Sequence, residues 1–154
     1  MNPYPISAEA LDLEVYVLAA LFTGSEVLAA LGETHRGLRW VRATFESSEV
    51  SRRLISLAVM IRSHLDVSPE GSHEAVGLLV TKGEASSQGK SLTLREACNK
   101  IIHAESVSFS AGEGDQSSMP PVSPEVILEG THGRREWTAH LNAIEFLEAA
   151  ATQS

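Results

Sequence analysis

The apolar residues of the first half of the chain recur at helical spacing. A first helix is predicted from Ser7, which is a residue type that favours the N-cap, to about residue 31, where Gly32 ends it. A second long helix begins near residue 38 or 48 and ends near residue 65. Its apolar stripe has spacings of three and four residues and comprises Val50, Leu54, Leu57, Ala58, Ile61 and Leu65.

The second half of the chain contains strand-like runs. Strands are predicted over residues 75 to 82, 106 to 110, 125 to 130 and 135 to 141. Gly133 can supply the positive φ that a tight hairpin needs between the last two. The order of elements predicts an α+β fold, with two long N-terminal helices and a small antiparallel sheet that ends in a hairpin.

Two capping patterns place the shorter helices. Thr93 and Glu96 form a capping box, which starts a middle helix that runs from residue 94 to about 104. Asn142, with Glu145 three residues later, caps a C-terminal helix. The middle helix is expected to turn inward its apolar positions Leu94, Ala97, Cys98 and Ile101. The final helix is expected to present on one face Ile144, Leu147 and Ala151.

The size of the chain is typical of one domain. It has 154 residues, of which 43% are hydrophobic, so we expect a single domain over residues 1 to 154. Residues 111 to 124 are rich in proline, serine and glycine, which predicts a flexible surface loop.

The apolar run at residues 15 to 22 has the composition of a buried helix. No basic region precedes it, Glu9, Asp12 and Glu14 lie just ahead of it, and the run itself is too short to span a bilayer. It is apolar over most of its circumference, which places the first helix near the centre of the core. We therefore expect a cytoplasmic protein without a signal peptide or membrane contact.

The charge of the chain limits its partners. Twelve Lys and Arg stand against twenty Asp and Glu, a net charge of -8 that repels polyanions on average and leaves room only for a local basic patch. The single cysteine cannot form an internal disulfide, and no Cys or His spacing of a metal site occurs. We expect no metal and no cofactor.

The segment GEASSQGKS is not expected to bind a nucleotide triphosphate. A phosphate loop has four residues between its first glycine and the Gly-Lys pair, whereas five separate Gly83 from Gly89.

The polar side of the middle helix contains the candidate residues for phosphate binding or proton transfer. Arg95, Asn99 and His103 follow one another at a spacing of four, so they form one polar stripe. An imidazole beside an amide and a guanidinium can bind a phosphate or take a proton from a ribose hydroxyl. The alternative is structural: His103 caps the last carbonyls of its helix, and Arg95 pairs with an acidic neighbour.

The segment CNKIIHA, residues 98 to 104, resembles the Arg-x4-His helix motif of the HEPN superfamily. His103 matches the histidine and Asn99 the polar residue that often follows the arginine, while Cys98 stands at the arginine position. The resemblance implies a small helical module that acts on RNA at a dimer interface, in toxin or defence systems, without a metal. With cysteine at the arginine position, it implies RNA binding with weak or absent cleavage.

The predicted hairpin carries a second group of cations. His132, Arg134, Arg135 and Trp137 lie close together in it, and such a group can stack on a base or grip a phosphate. The alternative is that Trp137 belongs to the inner face of the sheet, as the alternation of apolar residues favours. Arg135 and His140 also match Arg-x4-His, but on a strand their side chains leave opposite faces.

Two functions from different classes remain open. The first is a degenerate HEPN-like module that contacts RNA or a ribonucleoprotein through His103, Arg95, Asn99, Lys100, Arg134 and Arg135, with a possible homodimer. The second is an acidic inhibitory, immunity or antitoxin-like module that binds a basic protein, or a small structural subunit. Convergence of the cations on one groove favours the first, and a continuous acidic face favours the second.

Overall fold

The helices and strands follow one another as two long helices, then strands interleaved with two short helices. A computed structural model describes residues 7–83, 89–109 and 120–153. Within these residues the elements are α1 (Ala8–Gly32), α2 (Arg36–Val67), β1 (Ala75–Thr81), β2 (Lys90–Thr93), α3 (Leu94–His103), β3 (Ser106–Phe109), β4 (Glu125–His132), β5 (Arg135–Asn142) and α4 (Ala143–Ala151).

The described strands form one antiparallel sheet in the order β2-β1-β5-β4-β3. The α+β class, the two long N-terminal helices and the C-terminal hairpin are therefore confirmed. Strand β2 was not predicted, because it has four residues, of which only Leu92 is buried. The hairpin turns at Gly133, whose φ of 63° is the conformation that the tight turn requires.

The sheet has a covered face and an open face. On the covered face Leu79, Ala139 and Leu128 lie side by side and are buried. The next row, on the other face, contains Leu78, which is 40% exposed, and His140, which is exposed. Helices α3 and α4 pack against the sheet, and α2 packs against α3.

Helix α2 and helix α3 bury the faces that the sequence predicts. All six residues of the α2 stripe are at most 1% exposed, and the four inward residues of α3 are at most 2% exposed. Helix α4 differs from the prediction, since Ile144 is 44% exposed. Its buried residues are Ala143, Phe146, Leu147, Ala149 and Ala150, which form a face one position away from the expected one.

Helix α1 buries only one side, which corrects the expectation that it lies at the centre of the core. Leu11, Leu18 and Phe22 face inward, whereas Leu13 is 60% and Tyr16 is 72% exposed. An all-round apolar composition does not identify the side that packs. By length and composition alone, the 25-residue helix could also cross a membrane, although the apolar run that the sequence shows is shorter.

Residues 120–124, the end of the predicted flexible loop, pack against the long helices. The guanidinium of Arg42 donates to the carbonyl oxygen of Pro120 at 2.5 Å and pairs with Glu46 at 2.6 Å. The amide of Val122 donates to Ser25 Oγ at 2.8 Å. This end of the segment is therefore fixed by buried polar groups, while residues 111–119 lie outside the described residues.

The two faces of the sheet predict a difference between neighbouring leucines. Leu79→Ala should lower the free energy of unfolding by about 2–4 kcal/mol, because it removes a buried side chain and leaves a cavity. Leu78→Ala, on the open face of the same strand, should lower it by less than about 1 kcal/mol. Urea unfolding followed by circular dichroism measures both, and equal losses would show that the open face is covered.

Candidate functional site

The start of α3 is fixed by its capping box. Thr93 Oγ1 accepts from the amide of Glu96 at 3.3 Å, and Glu96 Oε2 accepts from the amide of Thr93 at the same distance. Both bonds satisfy amides at the helix start that have no partner within the helix. Because the apolar side of α3 is buried, the cap also sets where its polar side points.

A cleft of about 790 Å³ opens between α3, strands β1 and β2, and the β4–β5 hairpin. Three cationic side chains line it: Lys90 from β2, Lys100 from α3 and Arg135 from β5. His103 and His132 lie on the same walls. Of the described residues that line it, Glu96 alone is acidic. Its carboxylate lies 3.7 Å from Lys90 Nζ and belongs to the α3 cap.

Lys100 is held over the ring of Trp137. Its Nζ lies 4.2 Å from the ring centroid, in the geometry of a cation–π contact. Trp137 is only 4% exposed, as the core interpretation of the hairpin predicts, and it approaches the backbone of Gly130 so closely that a Cβ there would meet the ring at 2.4 Å. Burial lowers the pKa of Lys100, because it removes water from the charged ammonium group. An anion in the cleft would therefore meet a poorly hydrated cation.

The polar stripe of α3 is divided between two environments. Arg95 donates to Asp66 Oδ1 at 2.5 Å, and Asn99 Oδ1 accepts from the guanidinium of Arg62. The hydrogen bond from Arg95 is the main reason that the pKa of the Asp66 carboxyl is lowered. Asn99 and His103 line the cleft, but Arg95 does not. Arg95 therefore takes the structural role of the two that its sequence position allows.

The hairpin separates its two arginines. Arg135 lines the cleft on the side of Trp137, whereas Arg134 occupies the turn with Gly133 and is not part of the cleft lining. His140 lies on the open face of the sheet, opposite to Arg135, as the alternation along β5 predicts. The second Arg-x4-His match therefore does not form a site.

Cys98, at the arginine position of the resembled motif, carries no charge. It is fully buried on the inner side of α3, and this burial raises the pKa of its thiol to about 12. Helix α3 thus contributes to the cleft an imidazole, an amide and an ammonium group, but no guanidinium. The cleft can bind an anion and can move a proton at His103.

Lys90 is the cleft residue that the sequence did not indicate. Lys90 is the first residue of β2 and belongs to the GEASSQGKS segment, residues 83 to 91. Residues 84–88 of this segment lie outside the described residues. The only local signal is Leu92 between polar neighbours, which is too short to define a strand. Only the pairing of β2 with β1 brings Lys90 towards α3.

Comparisons of the chain with protein-family models, curated proteins and solved structures found no match. Among the described residues, no group of three His, Cys, Asp or Glu side chains could hold a metal ion. The resemblance of residues 98 to 104 to the HEPN motif therefore stays a prediction from the sequence.

The burial of Cys98 predicts that this single thiol is protected in the folded protein. At pH 8, Cys98 of the native protein should react with a thiol reagent at least about a hundredfold more slowly than Cys98 of the urea-unfolded protein, because the buried thiol is both covered and protonated. The absorbance of a released chromophore measures the rate. Labelling within minutes in native buffer would mean that α3 does not stay packed against α2 and the sheet.

Proposed function

We propose that this protein is a cytoplasmic RNA-contacting domain that binds phosphate groups in the cleft between α3 and the β4–β5 hairpin. The main support is the convergence of Lys90, Lys100 and Arg135 with two histidines, from the consecutive elements β2 and α3 and from the distant β4–β5 hairpin. In a chain of net charge -8, such a grouping is a local exception. Phosphate contacts by Lys and Arg supply most of the affinity of proteins for nucleic acids.

The shape of the cleft favours a single strand over a duplex. Its volume of about 790 Å³ is within the range of roughly 300–1,000 Å³ that is typical of small-ligand sites, so it fits a short stretch of flexible backbone. The acidic remainder of the chain opposes the wide contact that a duplex would need. Trp137 supports Lys100 from below and is too deeply buried to offer a stacking face.

The same arrangement favours binding over cleavage. Cleavage of a phosphodiester needs a fixed cation where negative charge develops, and losing one such contact typically costs about a hundredfold or more in rate. Cys98 is neutral at the position where the HEPN motif has arginine, and Arg95 is engaged by Asp66. His103 would therefore contact RNA without an arginine from its own helix.

An acidic surface favours a second candidate function, the binding of a basic protein. Glu105, Glu129 and Glu136 lie around one depression near the open face of the sheet, with Lys82 paired to Glu136. Opposite charge would steer a basic partner to this surface. The two candidates use different surfaces, so substitutions in the cleft distinguish them.

Removal of a cleft cation should weaken RNA binding. Lys100→Ala and Arg135→Ala should each raise the Kd for a short single-stranded RNA by about tenfold, since each removes a charge-assisted contact. Each should also reduce the magnitude of the negative slope of log K against log salt by about 0.7. Fluorescence anisotropy at low salt measures these effects.

The matched control is Arg134→Ala, which removes an arginine from the adjacent position outside the cleft. It should raise the Kd by less than about threefold. Equal effects of Arg134→Ala and Arg135→Ala, or no binding by the wild type, would contradict the cleft as the site. Absence of RNA binding would favour the basic-protein candidate.

Bound RNA should remain intact. With neither Cys98 nor Arg95 available to stabilise the developing charge, the wild type and His103→Ala should leave end-labelled RNA equally uncut on a denaturing gel, while His103→Ala binds more weakly. Cleavage by the wild type that is lost in His103→Ala would show that Arg135 or another cation replaces the missing arginine.

A further inference from the structure

The long helices carry an apolar surface that faces away from the core. On α1 it comprises Leu13, Tyr16, Ala20, Gly24, Val27 and Leu31, which recur at spacings of three and four residues on the side opposite to the buried residues. On α2 it comprises Leu38, Val41 and Phe45, and also Val59, which lies about two turns beyond Arg52, the charged residue that interrupts the apolar surface on this side of α2. We call these residues the outer stripe.

The two halves of the outer stripe meet in one groove. A depression of about 630 Å³ runs between the helices, with Val27 and Leu31 on one wall and Val41 and Phe45 on the other. Trp40 packs edge-on against Phe45, with ring centroids 6.4 Å apart. At Gly24 an added Cβ would meet nothing within 4 Å, so the backbone of α1 is open to close approach there.

The area of the outer stripe is that of an interface. Tyr16 and Phe45 are 72% and 55% exposed, and since an aromatic side chain has roughly 150–250 Å² to bury, these two alone expose about 250 Å². Trp40, which packs against Phe45, is 64% exposed as well. Val27, Leu13 and the other aliphatic members extend the surface towards the ~800 Å² per partner that a stable complex buries. Soluble monomers rarely leave so large an apolar surface uncovered.

We propose that a second copy of this chain covers the outer stripe, so that two α1–α2 hairpins form a four-helix bundle. The charges of the two helices favour a second copy of the chain as the partner. Residues 8–32 contain four acidic residues and no Lys or Arg, whereas residues 36–67 contain six Arg and three acidic residues. Four of these arginines are paired within one copy, Arg53 with Glu14 of α1 and the others with acidic residues of α2. The charges that take part in none of the ion pairs between the described residues are Arg36 and Arg39 on α2, and Glu9, Asp12 and Glu26 on α1. A two-fold axis parallel to the helices sets α1 of one copy against α2 of the other, which brings opposite charges together.

The same charges argue against the other arrangements. A perpendicular two-fold axis would set α1 against α1 and oppose two acidic helices. An anionic membrane would repel the acidic helix α1 and attract the basic helix α2. Because both helices carry the outer stripe, such a membrane would not cover the whole stripe favourably. The proposal is independent of the RNA-binding cleft, because the outer stripe lies opposite to the buried stripe of α2, the side that packs on the rest of the fold.

Light scattering after size exclusion, in the high micromolar range, tests the proposal. The wild type should have twice the monomer mass of 16.5 kDa, while Val27→Asp and Phe45→Asp should have the monomer mass. Both positions are more than half exposed, so the variants should retain the circular dichroism of the wild type. The control Leu78→Asp places the same charge on the open face of the sheet and should leave the dimer intact.

A monomeric wild type, or a dimer that resists both substitutions, would overturn the proposal. Sedimentation with phosphatidylcholine vesicles is measured in parallel. If the wild type is a monomer that sediments with the vesicles and Val27→Asp is not retained, the outer stripe binds lipid and the dimer is excluded. A monomer that ignores vesicles would also overturn the proposal and leave a different protein as the occupant.

Discussion

The contact between the buried stripe of α2 and the inner side of α3 determines where the polar side of α3 points. Helix α3 has only ten residues, and such a short helix is stable only when its apolar side is packed. Its inward residues lie between α2 and the sheet, and Arg95 is tied to Asp66 of α2 by a hydrogen bond of 2.5 Å. With both constraints in place, Lys100 and His103 can only point to the side where the β4–β5 hairpin supplies Arg135. The cleft is therefore a consequence of how α3 is seated.

The cleft and the outer stripe are two candidate surfaces that share no residue. The cleft lies where α3 meets the sheet and gathers cations within an acidic chain, whereas the outer stripe is apolar and lies on the far side of α2 from the core. In the account proposed here, the first surface contacts RNA and the second joins two copies. The burial of Cys98 links the seating of α3 to the chemistry. The side chain that would have to be an arginine for cleavage is also one that holds α3 in place, so an arginine there would bury an unpaired charge.

Local signals in the sequence predict much of this fold, and long-range pairing accounts for what they miss. The Thr93 capping box, the α2 stripe and the turn at Gly133 each depend on residues a few positions apart, and the structure bears out all three. The uncovered side of α1 could not be predicted, because a helix that is apolar all round does not reveal which side packs. The division of the α3 polar stripe depends on Asp66, which is 29 residues away from Arg95 in the chain. Lys90 enters the cleft only because β2 pairs with β1.

A nuclear magnetic resonance titration shows whether RNA phosphate binds in the cleft beside α3. Two-dimensional ¹H–¹⁵N spectra would be recorded as a short single-stranded RNA is added to the labelled protein at low salt. The account predicts that the largest shifts fall on the amides of α3 from Asn99 to His103 and on those of His132 and Arg135, with the amides of the outer stripe unchanged. Shifts centred on Glu105, Glu129 and Glu136, or on the outer stripe, or no shifts at all, would contradict it.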